Sequence, residues 1–439
     1  MASSSVHVKE AIVIAPAEPT PSRVLSLSAL DSQLFLRFTI EYLLVYRPRP
    51  GSDPCVTAAR IKNALARALV PYYPLAGRVR ARPDGCLEVV CRAQGALFIE
   101  AVCDHTITEF ERAPKHVTQW RKLLSFHVAD VLMGAPPLVV QLTWLRDGSA
   151  TLGIGFNHCV CDGIGSAEFL NLFGQLSTQQ LNEFKPKPVW DRHLLNPSSA
   201  KRSRANSLIH HPEFSRVPDL CGFVSRFNNE RLAPTSVTFD KRCLNELKKL
   251  ALSSTTRPSE STYTSFEVLA AHVWRSWARS LNLPSNQTLK LLFSINVRAR
   301  VKPSLPSGFY GNAFVLGCAQ TSVKELTDKG LGHATMLVKR AKDRVDSEFV
   351  KSVVESVSES STTRACPDSV GVLILTQWSR LGLERVDLGM GRPVHVGPIC
   401  CDRYCLFLPV SNQTDAVKVM VAVPTSSVVN YEHLVRSVC

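Results

Sequence analysis

The chain changes from a strand pattern to a helix pattern within one stretch, Gly155-Phe156-Asn157-His158-Cys159-Val160-Cys161-Asp162-Gly163-Ile164-Gly165-Ser166. Upstream, Ala150–Phe156 follows the polar turn Asp147-Gly148-Ser149, and Val139–Trp144 before that turn is its predicted hairpin partner. Downstream, apolar residues recur at helical spacing, at Ala167, Phe169, Leu170, Leu172 and Phe173. The stretch is therefore predicted to end a buried strand, turn at its glycines and start a helix.

This pattern places His158 at the end of a strand, with the carboxylate of Asp162 four residues later and Gly163 directly after it. A neutral imidazole held there can accept a proton from a bound hydroxyl or amine, which is the task of a general base. A histidine in such a stretch can also be a hydrogen-bonded residue of the core. The motif alone leaves both interpretations open.

Length and composition indicate a globular protein with two domains. The 439 residues exceed what one hydrophobic core usually supports, and 45% hydrophobic with 20% charged residues is typical of a globular chain. Between positions 182 and 229 the composition shifts toward Pro, Ser and basic residues, which is typical of a long connection. We therefore predict an N-terminal α/β domain over residues 1–190, a crossover linker over 191–228 and a C-terminal α/β domain over 229–439.

Several classes of protein are disfavoured by the sequence. No apolar run approaches the ~18 residues that span a membrane, and the N-terminus lacks a secretory pattern, so we expect a cytoplasmic protein with no membrane partner. The net charge of +14 comes from dispersed basic residues, with one concentration from Lys185 to Arg204. No basic helix is interleaved with aromatic residues, so nucleic-acid binding is not expected. We expect a monomer.

The 14 cysteines are scattered and show no zinc spacing, so no metal site is predicted. Reduced thiols that serve as small hydrophobic residues are the better interpretation. Cys159 and Cys161 closely follow His158, and either could be mistaken for a nucleophile. If the strand continues through them, both side chains lie on the face opposite His158 and Val160, which favours a packing role.

In the second half, the capping box Thr264-Ser265-Phe266-Glu267 starts a strong helix, in which His272 lies on an aromatic stripe and is predicted to be a core residue. A strand from Leu291 leads into a basic loop at Arg298, and a glycine-rich turn spans Asp387 to Pro393. Further strands are predicted over Leu34–Tyr46, Ser236–Phe239, Val370–Trp378 and Val417–Val423. Further helices are predicted over Cys55–Leu69, Lys241–Ala251, Val323–Val345 with a break at Gly330-Leu331-Gly332, and Tyr431–Val438.

From about Pro16 to the C-terminus, the order of motifs resembles the BAHD acyl-CoA-dependent acyltransferases of plants. The matching pieces are Tyr73-Pro74-Leu75-Ala76-Gly77-Arg78, His158-x-x-x-Asp162-Gly163, Tyr263-Thr264-Ser265-Phe266-Glu267, the segment from Arg298 to Asn312 and the turn from Asp387 to Gly391. No single piece is decisive, whereas their order and spacing together are specific.

The resemblance implies an α/β fold of two similar-sized domains, related to chloramphenicol acetyltransferase, with a tunnel between them. His158 would lie in the tunnel. It would remove the proton from the acceptor's OH or NH as that group attacks the thioester carbonyl, and it could then reprotonate coenzyme A. The resemblance implies no permanently bound cofactor and no metal; the substrates are an acyl-CoA donor and a small-molecule alcohol or amine.

The resemblance also implies roles for other residues. Asp162 would point away from the tunnel and pair with an arginine, for which Arg298 is the candidate, and so keep the loop of His158 and Gly163 in shape. Thr376 and Trp378 occupy positions that supply a hydroxyl and an indole N–H near the reacting centre in some relatives. A core tryptophan beside a strand threonine is the alternative. Asp387, Gly389 and Gly391 would form a structural turn.

Coenzyme A needs basic side chains and N–H donors for its phosphates and its pantetheine arm. Our candidates are Arg298, Arg300, Lys302 and the loop from Ser259 to Tyr263. Solvated surface charge is the alternative for each of the basic residues.

The sequence departs from the family pattern at two places. The turn that usually reads Asp-Phe-Gly-Trp-Gly is here Asp387-Leu388-Gly389-Met390-Gly391, and Val297 stands where glycine is common. Three hypotheses follow: O-acyl transfer to an alcohol, N-acyl transfer to an amine, and a non-catalytic binding protein of the same fold, for which these departures are the only hints. We favour the first.

Overall fold

The computed structural model describes residues 6–111, 123–125, 132, 134–179, 186–197, 209–220, 230–254, 262–359, 371–399 and 404–438. Its strands are β1 (Val6–Ile14), β2 (Arg23–Ser26), β3 (Thr39–Tyr46), β4 (Arg78–Ala81), β5 (Leu87–Cys91), β6 (Ala96–Cys103), β7 (Leu138–Leu145), β8 (Ala150–Asn157), β9 (Leu232–Phe239), β10 (Thr288–Asn296), β11 (Phe314–Ser322), β12 (Val372–Gln377), β13 (His395–Pro398), β14 (Tyr404–Val410) and β15 (Gln413–Pro424). Its α-helices are α1 (Pro54–Ala68), α2 (Ile107–Glu111), α3 (Gly163–Thr178), α4 (Lys241–Ser253), α5 (Ser265–Ser280), α6 (Val323–Asp328), α7 (Leu331–Asp343), α8 (Ser347–Glu359) and α9 (Val428–Arg436).

Two six-stranded mixed sheets carry the fold. The first has the order β1-β6-β7-β8-β3-β13, and its neighbours are antiparallel except for the parallel pair of β6 and β7. The second has the order β11-β10-β12-β14-β15-β9, with β12 parallel to both of its neighbours. A small antiparallel sheet of β2, β5 and β4 lies beside them. The predicted α/β class with two sheet-rich halves is confirmed.

The two halves share strands and core. The edge strand of the first sheet, β13, comes from the C-terminal half and pairs antiparallel with β3. One hydrophobic core joins α1, α3 and the first sheet to Leu406, Leu408 and Met420 of the second sheet. A second core lies on the opposite face of the second sheet, against α4, α5 and α7. The residue ranges predicted for the two domains stay a prediction. A single cut at the crossover would assign β13 to the C-terminal domain, whereas β13 is part of the first sheet.

Several predicted elements are found with small shifts of their ends. The hairpin of β7 and β8 is confirmed. Thr264 and Glu267 form the capping box of α5, and His272 is buried with its Nε2 2.9 Å from the Val435 carbonyl oxygen. The predicted helix Val323–Val345 is interrupted at Gly330, which separates α6 from α7.

Two strand predictions were wrong in their length. Residues Leu34–Leu36 form a 3-10 turn instead of the start of β3, because the Leu36 and Arg37 amides bond to the carbonyls of Gln33 and Leu34. β9 begins at Leu232, four residues before the predicted start. It contains Pro234, which has no amide N–H to donate and so would break the hydrogen bonding of an internal strand. A proline is tolerated here because β9 is the edge strand of its sheet.

Some predictions fall partly outside the described residues. These are the crossover linker over 191–228, the basic concentration from Lys185 to Arg204, and the loop from Ser259 to Tyr263, of which only Thr262 and Tyr263 are described. Among the helices in the described ranges, none is both long and apolar enough to cross a membrane.

The strand β8 is completely buried, and its position depends on a close backbone approach at Gly153. A Cβ atom there would overlap the carbonyl oxygen of Leu123, which lies against that face of the first sheet. Only a glycine lets the strand that leads to His158 lie this close to residues 123 and 124.

We expect Gly153→Ala to lower the free energy of unfolding by about 3 kcal/mol, at the upper end of overpacking effects, because a backbone carbonyl must move. Urea denaturation measures the change. Gly163→Ala is the matched control, since its new Cβ would stay 3.4 Å from the nearest side-chain carbon, and it should change stability by less than about 1 kcal/mol. Equal losses in the two variants would contradict the steric argument.

Candidate active site

The loop that carries His158 is a tight turn between β8 and α3. β8 ends at Asn157, and the amide of His158 donates to the Phe38 carbonyl oxygen at 2.9 Å. The side-chain oxygen of Asn157 accepts the Cys159 amide at 3.0 Å. Asp162 then caps α3, because its Oδ1 accepts the Gly165 amide at 2.9 Å. Gly163, the first residue of α3, follows this cap directly.

Asp162 is held by the arginine that the sequence suggested. Nη1 of Arg298 lies 2.8 Å from Oδ2 of Asp162, and Nη2 lies 3.1 Å from Oδ1, which is a bidentate pair. The Ala313 amide donates to Oδ2 as well, at 3.1 Å. Burial by itself disfavours the charge, but Arg298 and the backbone amides outweigh it and hold the pKa of Asp162 below its ordinary value. The carboxylate therefore joins the loop after β8 to the loop after β10.

A second buried carboxylate, Asp31, braces the same loop. It forms an ion pair with Arg192 at 2.7 Å, and the exposed fractions of the two side chains are 0% and 1%. It also accepts the backbone amide and the side-chain amide of Asn312 at 2.8 and 2.9 Å. These partners hold the loop by its carbonyls, since Asn312 Nδ2 donates to the His158 oxygen at 2.7 Å and Arg192 Nη2 donates to the Val160 oxygen at 2.6 Å.

The His158 side chain lies deep in the fold and keeps part of its surface exposed. Burial lowers its pKa below the ordinary value of 6.5, although nearby acceptors, among them its own carbonyl and the Asn312 side chain, oppose the shift. Two buried polar atoms here have no hydrogen-bond partner among the described residues, His158 Nδ1 and Asn312 Oδ1. Because Nδ1 is sealed inside the protein, a substrate can reach only Nε2.

Aromatic rings surround the imidazole. Its centroid is 5.1 Å from the Phe38 ring and 5.9 Å from the Phe314 ring. Phe35 extends the group from Phe314 at 6.4 Å, and Tyr404 extends it from Phe38 at 6.2 Å. All four rings are partly exposed. Each half of the chain supplies two of them.

Thr376 and Trp378 differ in their surroundings. Thr376 is partly exposed and lies on the same face of the second sheet as Ser294. The Oγ of Ser294 is 3.5 Å from the Oγ1 of Thr376. Trp378 is almost fully buried, with its ring 4.6 Å from that of Tyr42 and its amide bonded to the Phe407 carbonyl. Their predicted roles at the reacting centre stay predictions.

Cys159 and Cys161 are fully buried, and burial raises the pKa of each thiol to about 12. Neither is a thiolate near neutral pH, so neither can act as a nucleophile there. The condition of the argument from strand alternation is not met, because β8 ends at Asn157 and does not extend to these residues.

The variant turn adopts a compact conformation. Asp387 Oδ1 accepts the amides of Gly389 and Gly391 at 2.7 and 2.9 Å, and both glycines have positive φ, +80° and +87°. Leu388 and Met390 are buried in the core shared by the two halves. The turn packs on the N-terminal half, where Tyr46 and Arg60 donate to the Val386 and Leu388 carbonyls.

The residues predicted to contact coenzyme A are not all at a surface. Arg298 is engaged by Asp162 and by the carbonyls of Phe309 and Gly311, and Arg300 donates to the carbonyls of Lys342 and Val345 at 3.0 and 2.6 Å. Tyr263 is buried in the C-terminal core, whereas Lys302 is exposed. Their contacts with coenzyme A stay predictions.

Sequence reasoning missed Asp31 and Arg192 as site residues, and it quoted Asn312 only as part of a motif. Asp31 and Arg192 are 161 positions apart and belong to no shared local pattern, so only the fold brings them together. Among the described residues, no group of three or more His, Cys, Asp or Glu side chains could hold a metal ion.

Comparison with known proteins gives a consistent result. A family model described as the Transferase family matches residues 4–436. An omega-hydroxypalmitate O-feruloyl transferase of Arabidopsis thaliana is 33% identical over 426 residues, 96% of this chain and 91% of that protein. A 3'-N-debenzoyl-2'-deoxytaxol N-benzoyltransferase of Taxus canadensis is 30% identical over 435 residues, 96% of this chain and 93% of its own. The crystal structure of vinorine synthase superposes with a TM-score of 0.75 at 20% identity and covers 99% of this chain and 98% of its own, which shows the fold.

We expect Asp31→Asn to lower the free energy of unfolding by about 3–5 kcal/mol, because it leaves the buried guanidinium of Arg192 without its anion. Denaturant titration measures the loss. Asp415→Asn is the control, since its partner Lys241 is 74% exposed and an exposed pair contributes about 0–1 kcal/mol. If Asp31→Asn were no more costly than this control, the ion pair would not be a structural brace.

Proposed function

Because the chain belongs to the Transferase family, the BAHD acyl-CoA-dependent acyltransferases, we propose that it transfers an acyl or aroyl group from a coenzyme A thioester to the hydroxyl of a small plant metabolite. The observation that carries the proposal is the geometry of His158. A partly exposed imidazole with a lowered pKa is fixed at a strand end by contacts from both halves of the chain.

The protonation state of His158 suits a general base. Its lowered pKa keeps the ring neutral at pH 7. We propose the tautomer whose proton is on the buried Nδ1, because that tautomer leaves the free electron pair on Nε2, the nitrogen that a substrate can reach. We propose that this N–H donates to Asn312 Oδ1, a buried acceptor with no other partner among the described residues, because the Asn312 side chain is one of the groups that act on the His158 pKa. That bond would fix the ring in the tautomer that the reaction needs.

The reaction needs no covalent enzyme intermediate. Nε2 of His158 takes the proton of the acceptor O–H as its oxygen forms a bond to the thioester carbonyl carbon. Negative charge then develops on the carbonyl oxygen, where Thr376 and Trp378 are the proposed donors. When the C–S bond breaks, the imidazolium returns the proton to the coenzyme A sulfur. The products are an ester and free coenzyme A.

The substrates would enter the space between the facing sides of the two sheets, which we propose is a tunnel. Thr376 and Tyr404 on the second sheet, and Phe38 directly before β3 of the first sheet, are partly exposed although they lie where the halves meet. Exposed side chains at such a position are consistent with a space that admits a substrate. We further propose that the enzyme is a cytoplasmic monomer.

His158→Ala should abolish acceptor-dependent release of free thiol from a panel of acetyl-, benzoyl- and hydroxycinnamoyl-CoA with pooled alcohols, a loss of about a hundredfold or more. A thiol-reactive dye measures the release, and product masses identify the ester. Cys86→Ser is the control, because that thiol is exposed and takes no part in the mechanism. Turnover that persisted in His158→Ala would overturn the assignment of the base.

The same base could acylate an amine, and the Taxus relative named as an N-benzoyltransferase favours keeping this second candidate. Pooled amines run in parallel with the alcohols separate the two. An amide product with no ester would replace the proposed O-acyl transfer by N-acyl transfer, while the role of His158 would stand.

The pH dependence of kcat/KM should show an acidic limb with a midpoint below 6.5, since activity is lost as protonation removes the base. Glu168 on α3 is a second buried group that titrates near neutral pH, because burial raises its pKa to about 7. Since His158 is the proposed base, Glu168→Gln should leave the limb in place. A limb that disappears in Glu168→Gln, or one centred above 6.5 in both proteins, would contradict a base with a lowered pKa.

A further inference from the structure

The aromatic rings around His158 differ from the other aromatic residues of the shared core. Tyr42, Phe156 and Phe169 in that core are fully buried. The four rings beside the imidazole are instead packed against the core and left partly open. We call this group the aromatic collar; its members are Phe35, Phe38, Phe314 and Tyr404.

The collar consists of two ring pairs, and one ring of each pair contacts the imidazole. Phe35 and Phe314 meet edge to face, with their planes at 75°. Phe38 and Tyr404 have nearly parallel planes, at 22°. A ring bound beside either pair can take the edge-to-face or offset-stacked arrangement that the charge distribution of aromatic rings favours.

Three neutral polar side chains share a face of the second sheet with the collar residues Phe314 and Tyr404. Phe314 lies opposite Asn296 in the pairing of β11 with β10, so it shares a face with Asn296 and Ser294. Tyr404 lies opposite Ile374, so it shares a face with Thr376. These side chains can hydrogen-bond a substrate but give no reason for it to be charged. Open aromatic surface beside neutral donors suits a planar, weakly polar group better than a small acyl group.

We propose that the aromatic collar binds a planar aromatic ring of a substrate while His158 acts on the reacting group, an inference that rests on the proposed function. The ring can belong to the acyl group of the donor or to the acceptor. In both cases the recognition is the same: ring faces and edges of the collar meet the π-system of the ligand.

Binding to the His158→Ala variant tests this without turnover. In the donor arm, isothermal titration compares benzoyl-CoA with cyclohexanecarbonyl-CoA, which is similar in size but not planar. In the acceptor arm, it compares benzyl alcohol with cyclohexylmethanol. We expect the aromatic ligand to bind about tenfold more tightly in one arm, the effect of about two aromatic contacts, and that arm identifies which substrate carries the ring.

Collar variants decide whether these residues cause the preference. Phe38→Leu and Phe314→Leu are each introduced singly into the His158→Ala variant. Each keeps an apolar side chain but removes a ring. At least one of them should reduce the ratio of the affinities for the aromatic and the non-aromatic ligand toward one. Phe214→Leu is the control, because Phe214 is also a partly exposed aromatic residue but packs on His211, away from the collar. It should keep the full ratio. Equal affinities in both arms, or a ratio that neither collar variant lowers, would overturn the proposal.

The wild-type enzyme separates this proposal from the proposed function. If thiol release occurs with no preference in binding, the acyl transfer stands and the aromatic site fails. If a collar-dependent preference exists without thiol release from any donor, the aromatic site stands and the proposed reaction fails.

Discussion

The ion pair between Asp162 and Arg298 is the contact on which the geometry of the site depends. One partner begins α3 after the first sheet, and the other follows β10 in the second sheet, so the pair fixes the two halves relative to each other at the loop of His158. Asp162 also caps the helix that starts there. Because its oxygens are occupied by Arg298 and by the Gly165 and Ala313 amides, this carboxylate cannot also orient the imidazole.

The loop is instead positioned through its backbone. The carbonyls of His158 and Val160 are each held by a side chain, and both of those side chains contact Asp31. The negative charge of Asp31 is thus separated from the imidazole by the side chains of Asn312 and Arg192, and it adds little to the basicity of the ring. The pKa of His158 can then be lowered by burial, which is opposite to what a directly paired carboxylate would do.

Sequence reasoning predicted the features of this protein that depend on residues close together in the chain. The hairpin before His158, the capping box of α5 and the interruption at Gly330 each depend on residues within a few positions of one another. The pairing of Asp162 with Arg298 came from the resemblance to a family. Asp31 and Arg192 could not be found in this way, since an isolated Asp and an Arg in a proline-rich connection acquire meaning only when the fold buries them together. The start of β9 was missed because Pro234 is acceptable only at a sheet edge, which is a property of the assembled sheet.

The strand β13 has a consequence for how such a protein can be recombined. Because His395–Pro398 completes the first sheet, a chimaera that joined the N-terminal half of one relative to the C-terminal half of another would build that sheet from both parents. Exchanging one half of the chain is therefore not sufficient. Residues 395–398 have to come from the same parent as β3, the strand with which they pair. The same antiparallel pairing tethers the halves on one side, so any opening between them is a pivot about β3 and β13 and not a separation.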